Sequence, residues 1–441
     1  MDITAANTGL WSGLVQLALI AGAFLLALLL LKLPGLRKSL LPAAVLGGFL
    51  LLALRHSKLL PSELHTLEVI AFHGMAVGFA ALALRSPEPQ TAGKSAILKS
   101  GGLIGATFAL QGALGLLVSL LLLPKRFPAA GLLLPMGYGQ GPGQAGNIGG
   151  TFERLGFAGG RSFGLSLAAA GYLSACVVGV IYLNILKRKG KLRQAQAPVA
   201  PAPLPAADAS PATTEEPLTL QIALVLTGYM LGFLALRGLD ALAHLLENPQ
   251  TVQLITNLLW GFHFILAAWA ASLLGLLLRG LTKAGILKRP PQNNKLLSRI
   301  SNLAFDFMIV AAIASIDIAQ LKGLWLPFLL MSLLGAAVTF AYLRWVCPRL
   351  YPGYATQGLL SMFGTLTGTV SSGVLLLREA DPKLQSPAVN NLLVGSTFAG
   401  LFALPVMAAI GFAPQSTPLA WAAAGALLLY GAGLTVWLAR N

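Results

Sequence analysis

Apolar runs, most of them about 20 residues long and so long enough to cross a bilayer as a helix, recur along the chain, parted by short polar stretches; the second, at about 40–55, is shorter. They predict helices at about 10–33, 40–55, 66–85, 97–123 and 162–186, then at about 218–240, 254–279, 300–320, 323–346, 388–412 and 418–438. Two tracts break the rhythm. Residues 135–154 carry glycines at 137, 139, 141, 143, 146, 149 and 150 with Pro142 among them, a density no ordinary helix tolerates. Residues 362–373 repeat the feature, setting Gly364, Gly368 and Gly373 among Thr365, Thr367, Thr369, Ser371 and Ser372. Irregular backbone at membrane depth survives only where protein or a water-filled cavity satisfies its amides and carbonyls. Both tracts are therefore expected to form re-entrant hairpins, at 129–160 and 355–380.

Between the fifth and sixth helices the character changes. Lys187-Arg188-Lys189-Gly190-Lys191-Leu192-Arg193 leads into an Ala- and Pro-rich stretch, so 187–217 reads as a solvated cytoplasmic linker. It divides a first half, 1–186, from a second, 218–412, each with five helices and one irregular tract; residues 413–441 supply an extra C-terminal helix. Five is odd, so the halves enter the membrane with opposite orientation. Met136 precedes Glu153 by 17 residues and Met362 precedes Glu379 by 17, with the irregular tract directly after each Met. The expected fold is an all-α polytopic membrane protein built from inverted repeats of five transmembrane helices.

Composition agrees and charge sets the direction. The 441 residues are 56% hydrophobic and 10% charged, with a mean hydropathy of +0.76, which excludes an ordinary soluble domain. The net charge of +16 would suggest nucleic acid in a soluble protein, but here the basic residues cluster in loops between apolar runs, so no nucleic-acid partner is expected. With the N-terminus outside, the inner side collects 22 of the 30 Lys and Arg: three after the first helix, three at 85–99, five at 187–193, six at 279–299, two at 344–349, two at 378–383, and Arg440. Eight remain outside: Arg55, Lys58, Lys125, Arg126, Arg154, Arg161, Arg237 and Lys322. That bias predicts an outer N-terminus and a cytoplasmic C-terminus. The N-terminus lacks a basic n-region, and its first apolar run is too long for a signal peptide. Cys176 and Cys347 show no metal-ligand spacing.

Two broken segments meeting at mid-membrane would offer helix N-termini, whose amides attract carboxylates, and unwound carbonyls, which hold a small cation. The candidate solute-binding residues are Gly139, Gln140, Gly141, Gly143, Gln144 and Asn147 in the first tract, and Thr367, Gly368, Ser371 and Ser372 in the second. Asp306 lies inside the eighth span, where an acid is costly and marks an ion or proton path. Asn302, Asp306, Thr365 and Thr369 are the candidate ion-coupling residues. An isolated Gly-x-x-x-Gly would serve close packing, but two dense tracts at equivalent places point to a site. His73 fits a packing role, Asp317 an interfacial one, and Gln111, Asn390, Asn391, Ser396 and Thr397 stand on scaffold helices. Glu153-Arg154 and Arg378-Glu379 read as solvated anchors. No phosphate loop, paired intramembrane His and Glu, or Ser-His pairing is present, so neither an ATP-driven pump nor an enzyme is expected.

The run from Gly137 to Phe157, ending in Phe-Glu-Arg-Leu-Gly-Phe, resembles the first hairpin of the bacterial sodium/glutamate symporter family. The stretch from Leu33-Pro34 to Gly48, the Ser301-Asn302-Leu-Ala segment and the spacing of the second tract are also similar, over most of the chain up to about Phe412. The resemblance implies inverted five-helix repeats, a homodimer in the bacterial inner membrane, and glutamate carried with sodium. The family tip reads Gly-Gly-His-Gly-Thr, whereas this chain reads Gly-Tyr-Gly-Gln-Gly-Pro-Gly-Gln there, without a His. The expectation is a secondary transporter coupled to sodium or protons, without other cofactor or metal, moving a small anionic organic solute by alternating access. The alternative is a non-transporting membrane receptor or scaffold on an inherited transporter fold.

Overall fold

The computed structural model of the protein describes residues 8–33, 41–57, 63–86, 94–189, 217–248, 252, 255–256, 259–260, 263–381 and 386–440. Most of the expected linker at 187–217 and much of the start of the helix expected at 254–279 lie outside them. Among the described residues all regular structure is helical. In chain order the helices are α1 (Thr8–Leu30), α2 (Ala43–His56), α3 (Leu64–Ala83), α4 (Lys94–Leu122), α5 (Leu133–Gln140), α6 (Pro142–Arg154), α7 (Gly160–Arg188) and α8 (Pro217–Ala243). They continue as α9 (His263–Lys283), α10 (Asn294–Ala314), α11 (Trp325–Leu350), α12 (Ala355–Thr367), α13 (Val370–Ala380), α14 (Ala388–Phe402), α15 (Leu404–Phe412) and α16 (Thr417–Ala439). Nine of the described helices are long and apolar enough to cross a membrane, consistent with a polytopic membrane protein.

The helix expected at 300–320 is shifted, α10 running from Asn294 to Ala314, and another expected helix is broken. The run at 388–412 is broken into α14 and α15 at Ala403, because Pro405 lacks the amide that a continuous helix needs and its ring crowds the carbonyl four residues back.

The chain forms two compact units, Met1–Ala23, Ala53–Pro89 and Ala202–Ser315 in one, Phe24–Leu52, Gln90–Pro201 and Ile316–Asn441 in the other. Each draws on both halves of the sequence. In the first unit α3 packs on α9 and α10, and α8 on α9, around Ala80, Ala81, Leu84, Val225, Ala271 and Leu297. Ser301 Oγ donates to Gly78 O across α10 and α3 (3.0 Å), where the Phe305 ring lies against Gly78. Polar side chains close one end. Gln221 Nε2 donates to Pro291 O (2.8 Å) and its Oε1 accepts from Asn293 N (3.0 Å), while Asn294 pairs with both backbone groups of Ser86. His73 is hydrogen-bonded through Nδ1 to the Tyr229 hydroxyl (2.6 Å), and Phe72 stacks on His263.

The second unit is built around α4, whose apolar stretch is 83% buried, against 28% for α16. A helix apolar on every side and covered on every side is a core element. Small residues let its neighbours close in: a Cβ on Gly115 would lie 2.0 Å from Gly131 O, and one on Gly105 would lie 2.3 Å from Phe402 Cβ. The C-terminal helix α16 packs along α4, with Tyr342 of α11 hydrogen-bonded to Thr435 (2.8 Å). Asp317 caps the short turn Ile318–Leu321, accepting from Ala319 N (3.0 Å).

Candidate functional site

Each glycine-rich tract is two short helices joined at a break, and all four helices belong to the second unit. A 3₁₀ turn, Pro128–Leu132, leads into α5, and Ser119 Oγ holds it by accepting from Gly131 N (3.1 Å). Gly141 ends α5 with φ +87° and ψ −178°, a conformation open essentially to glycine alone. Pro142 then starts α6, where its missing amide and preset φ cost nothing. In the second tract α12 ends at Gly368 (φ −140°, ψ −104°), and extended Thr369 precedes α13. α12 and α13 lie against each other: a Cβ on Gly364 would be 2.8 Å from Gly373 Cα.

The two breaks meet. A Cβ on Gly141 would stand 3.3 Å from Thr369 Cγ2, 3.7 Å from Gly368 O and 3.8 Å from the Tyr172 hydroxyl. α7 grips the second tract so closely that a Cβ on Gly171 would be 2.2 Å from Thr367 O. α4 grips the first, with the Phe108 ring against Gly139. Tyr138 is fully buried and donates to Ser332 O, tying α5 to α11.

Polar atoms gather around this meeting point. Gln111 Nε2 donates to Thr339 Oγ1 and to Leu366 O (both 2.9 Å), satisfying a carbonyl at the end of α12. Gln111 Oε1, 3.2 Å from a Cβ placed on Gly139, has no partner among the described residues. The same holds for Gln140 Nε2, for Gln144 Oε1 on a side chain 4% exposed, and for Ser372 Oγ on one 3% exposed. Leaving a buried polar atom unsatisfied costs about 1–3 kcal/mol, so these four atoms are candidates to bond water, an ion or a ligand. The N-termini of α6 and α13 bring first-turn amides and partial positive charge, and the ends of α5 and α12 bring carbonyls. The arrangement can take a carboxylate at the amides and a hard monovalent cation at the oxygens.

Of the sequence-predicted residues, Gly139, Gln140, Gly141, Gly143, Gln144, Thr367, Gly368, Thr369 and Ser372 lie at or within a turn of the breaks. Asn147 is a turn further along α6. Thr365 and Thr367 donate their hydroxyls to Ser361 O (2.9 Å) and Phe363 O (2.7 Å) of their own helix, leaving only lone pairs to offer. The side chain of Ser371 lies outside the described residues. Exposed Asn302 and half-buried Asp306 stand on α10 in the first unit. Tyr172, Phe108 and Thr339 were not expected at the site. Their only sequence signal is a polar or aromatic side chain within an apolar span, with Gly-Tyr at 171–172 echoing Gly-Tyr at 137–138. Compared with protein-family models and with curated proteins, the chain matches none.

Proposed function

We propose that the chain is a secondary transporter of the bacterial inner membrane that carries a small anionic organic solute, glutamate or a related carboxylate, by alternating access. It is coupled to sodium or protons, works as a homodimer, and has its N-terminus outside and its C-terminus in the cytoplasm. One observation carries the proposal: two helix breaks from opposite halves of the sequence meet inside one unit, beside buried polar atoms that have no partner among the described residues. The order long helix, short helix, break, short helix, apolar run recurs as α4 to α7 and as α11 to α15, with the last run of the second set broken into α14 and α15, which supports inverted repeats with re-entrant hairpins. The Gln111–Thr339 bond joins the corresponding helices α4 and α11. Gln140, Gln144, Ser372 and the tip amides bind the solute; Thr369 and the tip carbonyls hold the cation. Asp306, an acid within a span, is a separate candidate for proton transfer.

Purified protein in liposomes tests this with a panel of dicarboxylates and amino acids under a sodium or a proton gradient. Gradient-driven uptake of at least one solute is expected, with Gln144→Leu and Ser372→Ala each lowering it at least about tenfold while the protein still elutes as a single species. No gradient-dependent flux for any solute overturns the proposal.

A further inference from the structure

A second constellation lies at the other end of α6, about 18 Å along the helix axis from the break. Arg154 Nη2 donates to Thr151 Oγ1 (3.0 Å). Arg161, from the first turn of α7, folds back over α6, where a Cβ on Gly150 would be 2.8 Å from its Nη2. Two guanidiniums thus share one turn of α6. The acid beside them, Glu153, has Oε1 engaged by Arg161 N (3.1 Å). The pKa of Arg154 is held below its ordinary value, by burial first and then by the Arg161 charge, with Glu153 opposing.

An aromatic cluster draws in more cations. Phe127 stacks on Phe157 (centroids 5.2 Å apart) and packs on Phe152, and Phe157 meets Phe163 edge-on. Lys125 and Arg126, exposed just before Phe127, are carried to this end, and Arg126 Nη1 reaches Gly323 O (3.5 Å) beside exposed Lys322. Ser162 Oγ donates to Gln320 Oε1 (3.2 Å) and accepts from Asp317 N (3.1 Å), which fixes the Lys322 loop against the first turn of α7. On the orientation read from the sequence, these five cations are most of the eight Lys and Arg on the outer side. The rule that sets orientation gives no reason for them to gather there.

We propose that this collar is an oxyanion-binding site, in which the Arg154 and Arg161 guanidiniums take a carboxylate or phosphate group and Lys125, Arg126 and Lys322 draw it in. Planar guanidiniums hold such groups by paired charge-assisted hydrogen bonds, and a field of one sign raises local anion concentration. A dissolved anion and an anionic lipid headgroup share this chemistry.

Equilibrium binding of radiolabelled citrate to the full chain in nanodiscs, with phosphatidylcholine alone or with added phosphatidylglycerol, tests it without requiring transport. Citrate is expected to bind in the zwitterionic discs, and R154Q/R161Q to weaken it at least about tenfold. K125Q/R126Q/K322Q, altered only at exposed positions, should weaken it severalfold at low salt and little at high salt. Displacement of citrate by phosphatidylglycerol identifies the headgroup as the occupant, and its indifference identifies the dissolved anion. Unchanged affinity in both variants overturns the proposal; if R154Q/R161Q does not fold, unchanged affinity in the triple variant does so alone. Citrate binding that depends on Gln144 and Ser372 but not on the arginines sinks this site and leaves the proposed transport function standing.

Discussion

Replacing Gly141 by alanine tests whether the two helix breaks bear on each other. Two costs add. The conformation at φ +87° and ψ −178° costs a residue other than glycine about 1–3 kcal/mol. The new Cβ would also stand 3.3 Å from Thr369 Cγ2, a crowding that costs about 1–3 kcal/mol in a packed site. G141A should therefore destabilise by about 2–6 kcal/mol. Thr369→Ser separates the two, because it removes Cγ2 without touching the backbone at Gly141. G141A/T369S should be more stable than the sum of its single changes by about 1 kcal/mol or more, a coupling read from a double-mutant cycle. Gly156→Ala supplies the comparison: its φ is +101°, but no atom lies within 4 Å of the added Cβ, so it carries backbone strain alone. Unfolding in mixed detergent–SDS micelles, followed by circular dichroism, measures all four. Zero coupling between positions 141 and 369 would refute the contact on which the candidate site rests.

Gln111→Leu should destabilise by about 1–3 kcal/mol in the same assay, because Thr339 Oγ1 and Leu366 O lose a buried donor; unaltered stability would remove Gln111 from the site's support. Gly131→Ala should prevent folding, since its Cβ would lie 2.0 Å from backbone atoms of Gly115 that cannot turn aside, whereas Gly425→Ala, with open space around it, should elute like the parent protein on size exclusion. The Glu63 carboxyl, just before α3, is held below the ordinary carboxylate value by hydrogen bonds from Ser12 first and then from Thr66. Its contribution to holding α1 to α3 is therefore complete above that ordinary value and lost as pH falls through the lowered pKa. Titration of labelled Glu63 by NMR should give a higher midpoint in Ser12→Ala than in the parent, and equal midpoints would show that the hydrogen bond has no such effect.

Apolar run length and the glycine and proline tracts determined much of this protein from the sequence alone. Helix length and lipid compatibility depend on about 20 consecutive side chains, and a helix break depends on the local backbone freedom of Gly141 or the missing amide of Pro142, so both can be read in one dimension. The second tract, expected at 355–380, falls on α12 and α13, Ala355 to Ala380. Pro405 carried the break between α14 and α15 in plain sight, but the apolar run around it outweighed a single residue. Only the tertiary structure decided that Gly141 meets Thr369, that Gln111 bonds Leu366 O, that Tyr172 joins them, and that each compact unit draws on both halves of the chain. Those pairings depend on which helix faces carry residues small enough for backbones to touch, as Gly115 does with Gly131 and Gly171 with Thr367. Such complementarity belongs to two distant segments at once, and neither carries it alone.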